Sequence, residues 1–189
     1  MVERTVGDES VAISRTYATG IDDLWDACTN PERIPRWFLP VSGDLRPGGN
    51  YSLEGNASGT IESCDPPHGF RITWEFGGEV TWVELRLTAV DADHTRFELV
   101  HTGLGGSRWD EFGPGAVGVG WDGGLYGLEL NLAGGEMPDP SWIQSDEAKQ
   151  FYRASAAGWR EAHVAAGAPE DIAQASADRT IAAYTGGPS

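Results

Sequence analysis

The feature that most constrains the fold is a glycine-punctuated helical segment from Gly113 to Leu132. Large apolar residues recur along it at steps of three and four, which places them on one face of an α-helix. These residues are Val117, Trp121, Leu125, Leu128 and Leu132. Pro114 suits the first helical position and Gly134-Gly135 suits the stop. Because each interior glycine costs about 1 kcal/mol relative to alanine, the helix must be held by what packs on it. The glycines allow another backbone or a ligand to come close.

Length and charge narrow the class of protein. A chain of 189 residues is long enough for one domain with a sizeable core, with room for an appendage. Lys and Arg number 13 against 29 Asp and Glu, a net charge of −16 that repels phosphate backbones and anionic membranes. We therefore expect no nucleic-acid partner. No apolar run has the length of a signal peptide or a membrane span, so we expect a cytoplasmic protein without membrane insertion.

Upstream of the helical segment, apolar and polar residues alternate along the chain, as they do in the strands of an antiparallel sheet. The predicted strands cover 11–18, a hairpin over 43–55, and then 58–65, 70–76, 80–90 and 95–104. Between the first strand and the hairpin, Ile21 to Cys28 has helical spacing. Asn30-Pro31 is predicted to start a second short helix that ends with Trp37-Phe38. Strands with one apolar face followed by a long helix indicate an α+β domain.

After Pro138 the composition changes to that of two amphipathic helices. Ser145 is predicted to cap the first helix and Gly167 to end it, and Gly186 is predicted to end the second. Both have too few large apolar residues to stand alone, so we expect them to dock on the main domain. A homodimer contact is the alternative. The predicted division is a domain over 1–137 and a helical appendage over 138–189.

Five stretches in order carry a family resemblance. The segment SRTYATGIDDLWDACTNPERIPRWF resembles the opening of the SRPBCC (START-like, Bet v 1-like) superfamily. Within this superfamily, the chain resembles the group related to the activator of Hsp90 ATPase, and in that group the single-domain bacterial type. GDLRPGGNY, GTIESCDPPHGFRITWEF, the strand ending LVHTGL and the helix carrying Gly120-Trp121 follow in the expected order. The resemblance covers about 11–134. It implies a helix-grip fold, in which a curved antiparallel sheet wraps around the long helix and encloses a cavity that often binds hydrophobic molecules.

His101 is the strongest candidate for a functional side chain. Its strand phase points it inward beside Phe97 and Leu99, where a near-neutral pKa suits a base or a partner for a polar ligand group. The alternative is a core histidine satisfied by a backbone carbonyl or by Thr102. The inward apolar and aromatic residues are candidates for the cavity lining, with plain core packing as the alternative. The predicted lining comprises Trp25, Trp37, Phe38, Trp74, Phe76, Val83, Leu85, Phe97, Leu99, His101, Trp121 and Leu125.

Other polar and aromatic residues are expected to have structural or solvent-exposed roles. Asp110, Glu111 and Asp122 are predicted to flank the start of the long helix or to lie on its solvent side. Trp82 is predicted to face outward, where the tail helices could cover it. His163 has no second ligand at helical spacing, so we expect no metal site, and no motif calls for a cofactor.

The sequence thus favours binding of a small hydrophobic or aromatic molecule in the cavity. Two alternatives stay open. One is a cyclase or hydrolase that uses His101 and a second inward polar group. The other is a protein-interaction module, whose acidic surface or tail engages a chaperone or a second copy of the chain.

Overall fold

The computed structural model describes residues 1–186, which form one eight-stranded antiparallel sheet and a set of helices. The sheet order is β1-β2-β8-β7-β6-β5-β4-β3. The strands are β1 (Glu3–Gly7), β2 (Ser10–Tyr17), β3 (Val41–Gly43), β4 (Asn50–Leu53), β5 (Ser58–Asp65), β6 (Gly69–Phe76), β7 (Glu79–Ala89) and β8 (Thr95–Thr102). The α-helices are α1 (Ile21–Thr29), α2 (Gly106–Phe112), α3 (Gly115–Leu132), α4 (Asp146–Ala165) and α5 (Glu170–Thr185). Short 3-10 helices cover Ile34–Arg36 and Pro140–Gln144.

Strands β6 to β8 position the candidate site. Their register pairs Trp74 with Thr81, and Val83 with His101. Directly opposed residues of antiparallel strands point to the same side of the sheet, so the alternation predicted from the sequence is confirmed. We call this side the inner face. On β6 to β8 it comprises Phe70, Ile72, Trp74, Phe76, Thr81, Val83, Leu85, Leu87, Thr95, Phe97, Leu99 and His101.

The start of the chain differs from the prediction in two places. The predicted first strand is β2, and a shorter strand, β1, precedes it. Asn30 follows the end of α1, and its side-chain Oδ1 accepts a hydrogen bond from the backbone N–H of Glu32 at 2.9 Å, which is the contact expected of the predicted N-cap. Residues 31–33 form a hydrogen-bonded turn, and the regular helical turn begins only at Ile34, later than predicted.

The chain folds into two compact units. The first comprises Met1–Glu3, Ser14–Gly103 and Tyr126–Met137, and the second comprises Arg4–Ile13, Leu104–Leu125 and the chain from Pro138 onward. In the first unit, a side chain at Gly127 of α3 would overlap the backbone carbonyl of Trp37. Here glycine is required for the close approach that the sequence predicts.

In the second unit, the tail helices pack on the first half of α3. Ser145 caps α4 as predicted, because its Oγ accepts a hydrogen bond from the Ala148 N–H at 3.0 Å. A side chain at Gly115 would overlap Thr180 of α5, and one at Gly118 would overlap the Trp159 ring of α4. Two of the interior glycines of the long helix are thus positions at which the tail makes close contact.

The long helix begins within one residue of the predicted start, but a helix that was not predicted precedes it. Residues before it form a separate helix, α2, and the chain turns at Gly113, whose φ of +55° favours glycine. Pro114 then directly precedes α3. Within residues 1–186, no helix is both long and apolar enough to cross a bilayer.

Candidate functional site

His101 lies at the centre of a polar contact on the otherwise apolar inner face. Its side chain is buried, and the residue is 1 % exposed. The Nε2 atom is 2.7 Å from Thr81 Oγ1, and that hydroxyl donates to the backbone carbonyl of Trp74 at 3.1 Å. If His101 is a core histidine, the sequence analysis expects a backbone carbonyl or Thr102 as its hydrogen-bond partner. The structure gives Thr81 as a partner in place of Thr102, because Thr81 and His101 lie on the inner face whereas Thr102 points to the opposite side of the sheet.

Burial determines the charge of this imidazole. Removal from water disfavours the protonated form and lowers the pKa of His101 to about 4. The ring is therefore neutral at physiological pH, and it acts as a hydrogen-bonding group more readily than as a general base.

An aromatic ring packs against the histidine, and further aromatic pairs lie along the same face of the sheet. The Trp74 ring is T-shaped against it, with centroids 5.9 Å apart and an interplanar angle of 61°. Along the same face, Tyr17 meets Phe97 edge-on at 6.1 Å. Trp25 of α1 meets Phe70 at 6.4 Å. Edge-on pairs of this kind add about 0.5–1.5 kcal/mol to simple burial, so they favour the ring orientations seen on this face.

Accessibility changes across the inner face. On β7 and β8 its residues are buried, from Thr81 to Leu87 and from Thr95 to His101. On β6, in contrast, Phe70, Ile72 and Trp74 are only half-buried. Phe76, at the end of that strand, is 46 % exposed. The inner face thus has a partly accessible apolar strip, which we call the β6 strip (Phe70, Ile72 and Trp74), beside a buried imidazole.

The remaining members of the predicted lining have varied environments. In the first unit, Trp37 is buried and donates from Nε1 to the Ala27 carbonyl at 2.9 Å, and the half-buried Phe38 ring lies 5.5 Å from the Trp37 ring. In the second unit, Leu125 is buried and Trp121 is half-buried. Their contact with a ligand stays a prediction.

A second buried polar cluster was missed by sequence reasoning. The prediction that Asp122 lies at the helix start or toward solvent is wrong: the residue is 4 % exposed. Both carboxylate oxygens accept from the Arg4 guanidinium, at 2.8 and 3.1 Å. Oδ2 also accepts from Ser155 Oγ and from Trp159 Nε1. A carboxylate can be buried here because a cation and two neutral donors replace its hydration.

The outward-facing Trp82 also finds cover close to its own strand. Its Nε1 donates to Glu62 at 3.2 Å, and the Arg71 guanidinium lies 5.9 Å from the ring centroid. Gly103 completes this cover, because a Cβ there would meet the ring at 3.0 Å. The tryptophan is half-buried by these contacts.

His163 borders a small cavity in the second unit. The cavity has a volume of about 10 Å³, which suits one water molecule and no organic ligand. The buried Nδ1 atom of His163 has no hydrogen-bond partner within the described chain, and burial lowers the pKa of this imidazole. Across residues 1–186, no group of three or more His, Cys, Asp or Glu side chains could hold a metal ion.

Element order and sheet topology define the class of protein as α+β with a helix-grip fold and additional C-terminal helices. The sequence profile described as "Activator of Hsp90 ATPase homolog 1-like protein" matches residues 18–132. The chain belongs to this family, as the sequence resemblance predicts. Among curated proteins, the comparison finds no match.

Solved structures give the same fold. The crystal structure of CalU16 from Micromonospora echinospora is 37 % identical, covers 82 % of this chain and 96 % of its own, and has a TM-score of 0.68. PFC0360w, an HSP90 activator from Plasmodium falciparum, is 24 % identical, with 67 % and 97 % covered and a TM-score of 0.60. DynU16, from the dynemicin biosynthetic locus, is 21 % identical, with 69 % and 49 % covered and a TM-score of 0.59.

Proposed function

We propose that the protein binds a small, uncharged aromatic or hydrophobic molecule on the inner face of its sheet. The observation that carries this proposal is the β6 strip, an apolar surface left partly accessible beside the buried, neutral His101. A contiguous apolar patch that stays accessible on a folded chain is a feature of ligand-binding grooves and other interaction surfaces. A ligand pocket combines such a wall with a few polar groups that orient the ligand.

The charges on this face favour an uncharged ligand. From Thr81 to Leu87 on β7, and from Thr95 to His101 on β8, the described inner-face side chains are apolar, hydroxyl or imidazole groups. A carboxylate buried against them would lose hydration without gaining a cation. We therefore expect neutral aromatic compounds to bind better than fatty acids or aromatic acids.

A catalytic role for His101 is the second hypothesis. It requires a further inward polar group within hydrogen-bond reach, and the Thr81 hydroxyl at 2.7 Å meets that geometric condition. However, a pKa of about 4 makes the imidazole a weak base. The site therefore supports ligand binding better than acid–base chemistry.

The experiment uses the full chain with three related probes: 2-naphthol, its methyl ether 2-methoxynaphthalene, and the anion 2-naphthoate. Native mass spectrometry gives the stoichiometry and tryptophan fluorescence gives the affinity. We expect saturable one-to-one binding of the two uncharged probes and at least about tenfold weaker binding of the anion.

Two tryptophan variants locate the site. Trp74→Leu removes a ring from the β6 strip, whereas the matched control Trp82→Leu removes a ring from the opposite face of the neighbouring strand. We expect the first to weaken binding of 2-naphthol and the second to leave it unchanged, with circular dichroism checking the fold of both. Absence of saturable binding by all three probes would refute the proposal, as would equal weakening by the two variants.

A further inference from the structure

The imidazole of His163 packs against α2 and the turn that follows it. Its ring is T-shaped against Trp109 of α2, with centroids 6.4 Å apart and an interplanar angle of 62°. A Cβ at Gly113 would lie 3.3 Å from the Nδ1 atom of His163. This nitrogen is buried and has no hydrogen-bond partner within residues 1–186. The large majority of buried polar side-chain atoms do have a partner, so the geometry indicates one from outside the chain.

The cavity of about 10 Å³ beside His163 offers room for such a partner. Its lining comes from α4, from α5 and from the turn between α2 and α3. Two other residues of this lining carry polar groups. The Thr180 hydroxyl donates to the Ser176 carbonyl at 2.9 Å and keeps its lone pairs. It lies 3.5 Å from the carbonyl oxygen of Phe112, which has two lone pairs of its own.

We propose that this cavity is a binding site for a single water molecule, which hydrogen-bonds to His163 Nδ1 and to the polar groups of Phe112 and Thr180. A buried water needs about this volume and about two to four polar partners. Water suits either form of the neutral imidazole, because it can donate to a bare nitrogen or accept from a protonated one. The bound water joins both tail helices to the turn between α2 and α3. This inference concerns the second unit alone and does not depend on the proposed function.

Other occupants fit the cavity less well. Its volume is too small for an organic molecule. Across residues 1–186, no group of His, Cys, Asp or Glu side chains could hold a metal ion. The lining also contains Arg160, which pairs with Glu170 at 3.6 Å and whose positive charge disfavours a cation. Most of the other lining residues are apolar, so an ion of either sign would lose its hydration there.

The first test is a crystal structure of the full chain at atomic resolution. We expect one solvent peak in the cavity, at about 2.7–3.2 Å from His163 Nδ1 and within hydrogen-bond reach of Phe112 or Thr180. An empty cavity with well-ordered walls would overturn the proposal. A direct hydrogen bond from another side chain to Nδ1 would also overturn it.

The second test detects the water in solution, by NMR of the full chain with ¹³C-labelled alanine methyl groups. Ala173 and Ala177 line the cavity, so we expect nuclear Overhauser cross-peaks between their methyl groups and a long-lived water molecule. Ala27, which is fully buried in the first unit, is the internal control and should show none. His163→Phe keeps a ring and removes the nitrogen, so it should abolish these cross-peaks, whereas His68→Phe at an exposed turn should retain them. Cross-peaks missing from the wild-type chain, or unchanged in His163→Phe, would refute the site.

The third test displaces the water with a methyl group. Ala177→Val fills the cavity and leaves Nδ1 unpaired, so we expect the unfolding equilibrium constant in urea titrations to rise about tenfold. In the His163→Phe chain there is no nitrogen to leave unpaired, so the same substitution should raise this constant much less. An equal rise in the two chains would show that Ala177→Val acts through packing alone and would contradict hydration of Nδ1.

Discussion

Two buried polar clusters of the described residues differ in how their central polar group is stabilised. Around His101 the polar group is a neutral imidazole that contacts the Thr81 hydroxyl at 2.7 Å and borders a half-buried apolar strip. Around Asp122 the group is a carboxylate, and Arg4, Ser155 and Trp159 all donate to it. The second cluster has little capacity left for a ligand, so its role is to hold the tail helix α4 on α3. The first cluster retains the features of a recognition site.

The largest expected effect comes from removing the carboxylate. Asp122→Ala leaves a guanidinium and two neutral donors without their acceptor, and we expect the free energy of unfolding to fall by about 4 kcal/mol. Urea denaturation of the full chain measures this change. Asp110→Ala, at an exposed position of α2, is the control and should cost less than about 0.5 kcal/mol. Similar losses in both variants would contradict a special role for Asp122.

His101 should make the protein sensitive to acid. Its folded pKa, about 4, lies below the ordinary value of 6.5, so the unfolded chain binds the proton more readily. Stability from this residue is therefore complete above about pH 6.5 and decreases by about 3 kcal/mol as the pH falls to about 4.

The measurement is a set of urea titrations across that pH range. His101→Gln should lose this part of the acid sensitivity, whereas His68→Gln, at an exposed turn, should behave like the wild-type chain. The same pH profile in all three proteins would show that the buried imidazole is not the responsible group.

Substitution of two glycines of α3 distinguishes the effect of a tertiary contact on stability from the effect of helix propensity. Gly118→Ala inserts a methyl group into the Trp159 ring and should cost about 1–3 kcal/mol. Gly120→Ala has Tyr184 Oη as its nearest neighbour at 3.7 Å, so it should instead stabilise the chain by up to about 1 kcal/mol through helix propensity. Thermal and urea unfolding of the pair check both signs, and destabilisation of equal size would refute the contact.

These contrasts also explain what the sequence could and could not predict. The inward phase of His101 follows from alternation within β8, and the start of α4 follows from the Ser145 cap, because both signals are local. The Asp122 cluster joins residues 118, 33 and 37 positions apart, so no local pattern reveals it. Strand β1, which supplies Arg4, has Val6 as its one large apolar residue, so its sequence carries no hydrophobic alternation that would predict a strand. The glycine pattern predicts close approaches but not which partner makes them.

The same limit applies to the site. The alternation of apolar and polar residues along β6 predicts that its aromatic residues lie on one face. How accessible these residues are, however, depends on which neighbouring elements cover the strand. The contact between Thr81 and His101 depends on the register between β7 and β8, and a single hydroxyl group leaves no signal in a hydrophobic pattern. The sequence therefore predicts the apolar wall of the proposed site, whereas the polar contact between Thr81 and His101 is seen only in the structure.

The most direct test of the account is to titrate the full chain, labelled with ¹⁵N-histidine, with 2-naphthol and to follow all histidine ring resonances by NMR. His94 is an internal control, since it lies in an exposed turn and pairs with Asp91 at 2.9 Å. The account predicts saturable shifts of the His101 resonances at the stoichiometry found by mass spectrometry, with His94 unchanged. Unshifted His101 resonances at saturation, or shifts confined to the exposed histidines, would contradict it.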